Sequence, residues 1–447
     1  MAVDVFLLNT SVLDIRSPDF TFTDARVGPG GLAVCPTAQM PDYTQEQLAG
    51  YVERGLATAG GSGNTAPLLA HAGVRVAVGS YLGAGSYGGL DIQGRTFYTI
   101  LARNGVDLSA TVIHPSLPTG TTFIHQRPAG ERGGIAYFPN ANNDFDFARF
   151  RGEVERLDPK IVYYMYSGLS ERGDAHGGRD LAAFVRWCRE HGRLTIVDSH
   201  TLCGNPQELI RSGASVRAYR LLEPLLGELD IFFTSVDEAR MIRNTLEGEG
   251  TDHGEDVGVS IEGYLRFVAS RFGRVGRPQL FGVTVKRGAY TLWLKGNGEV
   301  EPVRFTESRY SVDGVVDLVG AGDSFRAGVV GYIAHAREAF LDGTLRVEEA
   351  VQVGNLMATL YVTSPLENRY GAIPTLAQLI ALVRTGDSYT DSAVLRRAVT
   401  ALPAPCIEVS NRFREPAQSS IDSTPLKTVS FYKRGDYEGK KDEQENR

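Results

Sequence analysis

Cysteine is scarce in this 447-residue chain, and the four that occur, Cys35, Cys188, Cys203 and Cys406, lie far apart. They form no C-x-x-C pair and no zinc-like spacing, which argues for free, inert thiols rather than a disulfide framework or a structural metal site. No apolar run approaches the length that spans a bilayer, so no membrane partner is expected. The opening stretch MAVDVFLLNTSVLDIRS carries an acid early and reads as a strand rather than a signal peptide, which points to a cytoplasmic setting. A surplus of positive charge is also missing. The formal charge of −7 argues against a nucleic-acid-binding surface as the main function. There are no internal repeats. What remains is a chain with 42% hydrophobic residues, long enough to bury a substantial core, and length alone would allow two or three domains.

Glycine, by contrast, is plentiful, and its most informative cluster is Val316-Asp317-Leu318-Val319-Gly320-Ala321-Gly322-Asp323-Ser324-Phe325. Phe325, Val329, Val330 and Ile333 recur at helical spacing, which puts Gly320, Ala321 and Gly322 at a helix N-terminus with unpaired backbone N–H groups. Such an end attracts anions, and minimal side chains let a phosphate come close. A carboxylate at that point is repelled by the ligand, so Asp323 fits a proton-accepting role. It equally fits a plain cap on the first turn.

Elsewhere the pattern is α/β. VDVFLLNTSVLDI reads as one buried first strand that delivers Asn9 and Asp14 to its end. Pro159 to Tyr166 and Leu194 to Asp198 read as buried strands around the amphipathic helix of RDLAAFVRWCREHG, a βαβ unit that implies a parallel sheet with ligands at the strands' carboxyl ends. Asp230 to Thr234 forms another strand, and FGVTVKRGAYTLWL gives two strands around a turn at Arg287-Gly288. LEGEGTDHGEDVGVS is expected to be an exposed loop. The run from Ser109 to Phe145 has the alternation of antiparallel lid strands bending at Pro-Ala-Gly-Glu. Residues 17 to 40 suggest a small accessory sheet. Small residues at Gly60 and Gly61, ahead of a helix carrying Asn64, would let a polyol lie against backbone amides beside an amide side chain. Gly83-x-Gly85-x-x-Gly88, with Asp107 downstream, matches a dinucleotide fingerprint, but the helical pattern begins only after Asp91.

The stretch from Asp317 to Phe325 resembles the D-T-x-G-A-G-D-x-F signature of the ribokinase-like (PfkB) carbohydrate kinases, with Leu318 in place of Thr. Ala59 to Ala66 resembles the family's first signature, G-G-x-x-x-N-x-A, and Val3 to about Leu382 follows its order of landmarks. The resemblance implies a three-layer α/β/α sandwich with a mainly parallel sheet and a small β lid, drawn from about 17–40 and 110–140, within a kinase domain of residues 1–400. A polar extension with little structure would follow at 401–447. It implies ATP-dependent phosphorylation of a hydroxymethyl group on a sugar or related polyol, with Asp323 as general base and Gly320, Ala321 and Gly322 as anion hole. Asp14, Gly60, Gly61, Asn64, Asp91 and Arg132 would meet the substrate, while Thr284, Lys286, Gly288 and Asn355 would meet the nucleotide. Glu238 would organise Mg2+, and Asp317 would lie near a metal or a monovalent cation such as K+. Lid strands in this family often pair between subunits, which leaves room for a homodimer. A nucleoside kinase, or a catalytically silent sugar- or nucleotide-binding member of the fold, is the alternative.

Overall fold

Alternate residues of the central strands point into two different apolar layers, as the period of a strand buried on both faces requires. Val5 and Leu7 join one core with Ile161, Tyr163, Leu194 and Ile231, while Phe6 and Leu8 join the other with Val162, Tyr164, Val197 and Phe232. These strands belong to an eight-stranded sheet in the computed structural model, which describes residues 2–17, 27–126, 132–138, 140–252, 256–403 and 430–431. From one edge the order is Arg304–Glu307, Gly288–Leu294, Gln279–Val285, Ile231–Ser235, Leu194–Ser199, Ile161–Ser167, Val5–Leu8 and Val76–Gly79. Gln279–Val285 and the five strands beyond it run parallel; the first two are antiparallel additions.

Helices cover both faces. Ser62–His71, Ala321–His335 and Val347–Val362 contribute to the first core. Phe147–Leu157, Arg179–Glu190, Val236–Leu246 and Val257–Phe272 contribute to the second. The architecture is the three-layer α/β/α sandwich expected from the sequence.

The expected single first strand is in fact two. Asn9 and Thr10 take φ of 68° and 42°, a costly conformation for residues with a β-carbon. Their side chains bond the carbonyl of Met165 at 3.0 and 3.2 Å. The chain thereby leaves the main sheet after Leu8 and enters a second, five-stranded sheet as Ser11–Ser17. That sheet, ordered Leu32–Val34, Arg132–Phe138, Gly120–Gln126, Ser11–Ser17 and Ala57–Gly61, is the lid. It draws on residues 11–17 and 57–61, beyond the segments expected to form it. Val112–His114 goes instead to a third small sheet, where Ser430–Phe431 pairs with it, so the tail has this much regular structure. The bend at Pro-Ala-Gly-Glu lies outside the described residues.

The dinucleotide reading fails on local geometry. Gly83 and Gly85 sit inside the strand Tyr81–Gly85, and the next helix, Ile92–Arg103, starts from Asp91 without them. The polar loop before Val257 is also less exposed than expected, since Asp252 is buried in an ion pair with Arg240. Cys35, Cys188 and Cys203 are unbridged; Cys406 lies outside the described residues. No helix among the described residues is long and apolar enough to cross a membrane.

Candidate active site

The helix Ala321–His335 begins at Gly320, whose φ of 85° is left-handed. A β-carbon there would lie 2.6 Å from Asn64 Nδ2 and 2.8 Å from the Tyr361 hydroxyl, so both conformation and space demand glycine. The Ala321 amide donates to Leu318 O at 3.1 Å, and Ser324 N makes the first helical bond to Gly320 O at 2.9 Å. The amides of Gly322 and Asp323 are thus the first-turn donors left for an anion. This narrows the expected anion hole, because Ala321 already has an acceptor. Gly322 has no unusual φ, and a β-carbon on it would stand 3.4 Å from the nearest side chain, Arg326. The fold does not need glycine there; a ligand that lies against the backbone would.

Asp323, 7% exposed, is gripped from three sides. Asn64 Nδ2 donates to its Oδ2 at 3.1 Å, while Tyr166 Oη and Arg326 Nη2 donate to Oδ1 at 2.5 and 2.8 Å. Arg326 also pairs with Asp198 through Nε at 2.9 Å. Asp198 in turn accepts from Tyr163 Oη at 2.9 Å and from Tyr166 N at 2.8 Å. Burial pushes the Asp198 carboxyl up to about 6 against the pull of Arg326. Burial, and next the Asp323 charge, likewise push the Tyr166 hydroxyl far up, so it serves as a donor.

Between this helix mouth and the lid lies a cleft of about 280 Å³. Asp14, Gly61, Glu238, Thr284, the turn Gly320 to Gly322, Asp323 and Arg326 all line it. Asp14 reaches it from the middle of a lid strand rather than from a strand end. Its carboxylate crosses over Gly60, where any β-carbon would collide with it, and a β-carbon at Gly61 would strike Thr10 O. Glu238 faces the cleft while accepting from Thr234 Oγ1 at 2.8 Å and Ser235 N at 2.9 Å. Ser235, which also lines the cleft, is the N-cap of that helix. A larger groove of about 960 Å³ runs along the edge strand Arg304–Glu307, but none of the residues singled out in the sequence lines it.

Several expected ligands have other duties. Asn64 accepts from Tyr361 and Tyr370 at 3.0 and 3.2 Å and donates to Asp323; it positions the carboxylate and does not line the cleft. Asp91 caps its helix through Gly94 N and holds Thr119 N, each at 2.7 Å, away from the cleft. Asp317 meets the guanidiniums of Arg16 and Arg369, both at 3.1 Å. Two cations already neutralise it, and it does not line the cleft. Gly288 is buried at the turn into the strand next to the edge, Lys286 is exposed beside it, and Asn355 is buried in its helix; none of the three lines the cleft. Arg132 lies on a lid strand, and its side chain is outside what is described. Tyr166, Arg326, Arg16 and Arg369 were not foreseen. Only Arg326 carried a signal, its place three residues beyond Asp323 on one helix face.

The family model described as pfkB family carbohydrate kinase matches residues 37–255. A 2-dehydro-3-deoxygluconokinase of Bacillus subtilis is 32% identical over 168 residues, 37% of this chain and 41% of the relative. The curated relatives it matches are covered over 34% and 41% of their own lengths. Ribokinase from Giardia lamblia superposes with a TM-score of 0.57 at 14% identity, covering 87% of this chain and all of that one. Fructokinase from Xylella fastidiosa, solved with bound ATP, gives 0.54 at 18% identity over 86% and 98%. These structures establish the ribokinase-like fold.

Proposed function

We propose, starting from a ribokinase-like chain similar in sequence to the pfkB carbohydrate kinases, that this protein is an ATP-dependent kinase acting on a hydroxymethyl group of a sugar or related polyol. The observation that carries the reading is the mouth of the helix Ala321–His335. There a carboxylate and two first-turn amides face one cleft, beside a glycine that only a ligand would require.

The acceptor would lie between the lid and Asp323, with Asp14 taking hydrogen bonds from its hydroxyls. Asp323 would draw the proton from the attacking hydroxyl while Asn64 and Tyr166 hold its orientation. The amides of Gly322 and Asp323 would face the charge that gathers on the phosphoryl oxygens. In such transfers positioning and electrostatics do most of the catalysis. Thr284, which lines the same cleft, would face the nucleotide. Among the described residues no cluster of three or more His, Cys, Asp or Glu is arranged to hold a metal ion. Magnesium fits here as a hydrated ion brought in on the nucleotide phosphates, whose charge it would neutralise, with Glu238 reaching it through water.

Asp323→Asn is expected to lower turnover by at least about 100-fold, the lower range for a general base, while ATP binding is retained. A coupled ADP-release assay over a panel of sugars and polyols measures this, and undiminished turnover in the variant refutes the base assignment. A nucleoside acceptor is favoured by one observation. Val12, Leu32, Ile124, Ile135, Tyr137 and Leu169 form an apolar cluster of their own, and all six line the cleft. Such a wall suits a flat, weakly polar ring.

A further inference from the structure

We propose that Arg326 is a further catalytic residue, a guanidinium that receives charge on the migrating phosphoryl group as Asp323 takes up the acceptor's proton. This rests on the kinase reading above. Arg326 lines the cleft, and its Nη1 is the nearest atom to the space left open at Gly322, 3.4 Å from where a β-carbon would stand. It therefore stands beside Gly322, on the cleft that both line. Its other side is held by two carboxylates, Asp323 through Nη2 at 2.8 Å and Asp198 through Nε at 2.9 Å. One partner would suffice for a structural pair. The second, anchored by Tyr163 and Tyr166, keeps the guanidinium in place when Asp323 is engaged elsewhere.

In the transfer, the bond from the γ-phosphorus to its bridging oxygen breaks and the electron pair leaves with the nucleoside diphosphate. The acceptor oxygen bonds to that phosphorus, and its proton passes to Asp323. Arg326 loses its contact with Asp323 at that moment and gains the equatorial phosphoryl oxygens, a planar fork well matched to them.

The test measures kcat, the KM for ATP and thermal unfolding in Arg326→Lys and Arg326→Gly. The double variant Arg326→Gln with Asp198→Asn is included because it leaves fewer unpaired charges buried. Expected is a kcat loss of about 10³-fold, the low end for an arginine at a phosphoryl group. The KM for ATP should change little, and added guanidinium ion should restore part of the turnover of Arg326→Gly. A kcat within about tenfold of the parent in variants that fold would overturn the assignment, since even one lost oxyanion donor costs more. So would a fall in kcat and unfolding temperature together with a rise in the KM for ATP and no guanidinium rescue, the mark of a merely structural pair. If the parent protein releases no ADP with any acceptor, the kinase reading falls and this one with it; an active parent with unaffected variants removes this one alone.

Discussion

Asp323 has more partners than a base in waiting needs, and the network around it makes pH the informative variable at the scale of single residues. Asp198 is fully buried, and its carboxyl is pushed up to about 6 from an ordinary 3.8. The folded state thus holds that proton to higher pH than the unfolded chain does. The associated stability is fully present below about 4 and is lost as pH rises through about 6, at roughly 1.4 kcal/mol for each pH unit that separates the folded and unfolded titrations. Asp198→Asn should therefore gain stability relative to the parent as pH rises from 4 to 6. Denaturant unfolding of both proteins across that range checks it, and parallel curves would show that Asp198 does not titrate there. This network was only partly legible in the sequence. The Gly-Ala-Gly-Asp run announces an acid at a helix mouth, and Asn64 stands out as a polar residue after glycines. Whether Asn64 faces a ligand or Asp323 depends on a contact 259 residues away, which no local pattern encodes. Tyr166 acquires its role through a φ of 57°, for which a tyrosine gives no warning.

At the scale of elements, the first turn of the helix Ala321–His335 separates what folding requires from what binding requires. Gly320 is fixed by backbone and neighbours, whereas Gly322 has room for a methyl group on the fold's side. Gly322→Ala is expected to unfold within a few degrees of the parent yet lose about tenfold or more in turnover, because the methyl stands before the amides that would receive the phosphoryl group. Gly320→Ala should lose both stability and turnover. Melting curves paired with ADP release decide the matter, and a fully active Gly322→Ala would remove the anion hole from this turn. The helix itself was readable from its apolar spacing, as were the strands around RDLAAFVRWCREHG. The break at Asn9-Thr10 was not, because VDVFLLNTSVLDI carries apolar residues on both sides of it and neither glycine nor proline marks the bend. An unbroken strand put Asp14 at a strand end, whereas the break puts it in the lid sheet.

At the scale of the whole molecule, a buried ion-pair knot forms at the acid that the family resemblance placed near a cation. Arg16 on the lid strand Ser11–Ser17 and Arg369, beyond the helix Val347–Val362, both close on Asp317. Arg369 also donates to Val319 O at 3.1 Å and Asp317 O at 3.3 Å, inside the segment that leads into Gly320. Breaking a buried pair leaves an uncompensated charge and costs about 3–5 kcal/mol. Arg16→Met leaves Asp317 its pair with Arg369, so it should lower unfolding stability by less, about 1–3 kcal/mol for the lost buried partner, read by urea titration; a change below about 1 kcal/mol would mean that the tie is idle. The acid was visible in the signature, and Arg16 sits two residues after Asp14, but nothing in linear order joins residues 16, 317 and 369. The same knot lies three positions ahead of Gly320. Any tilt of the lid would therefore be transmitted, as through a short lever, to the attitude of the turn that opens the helix.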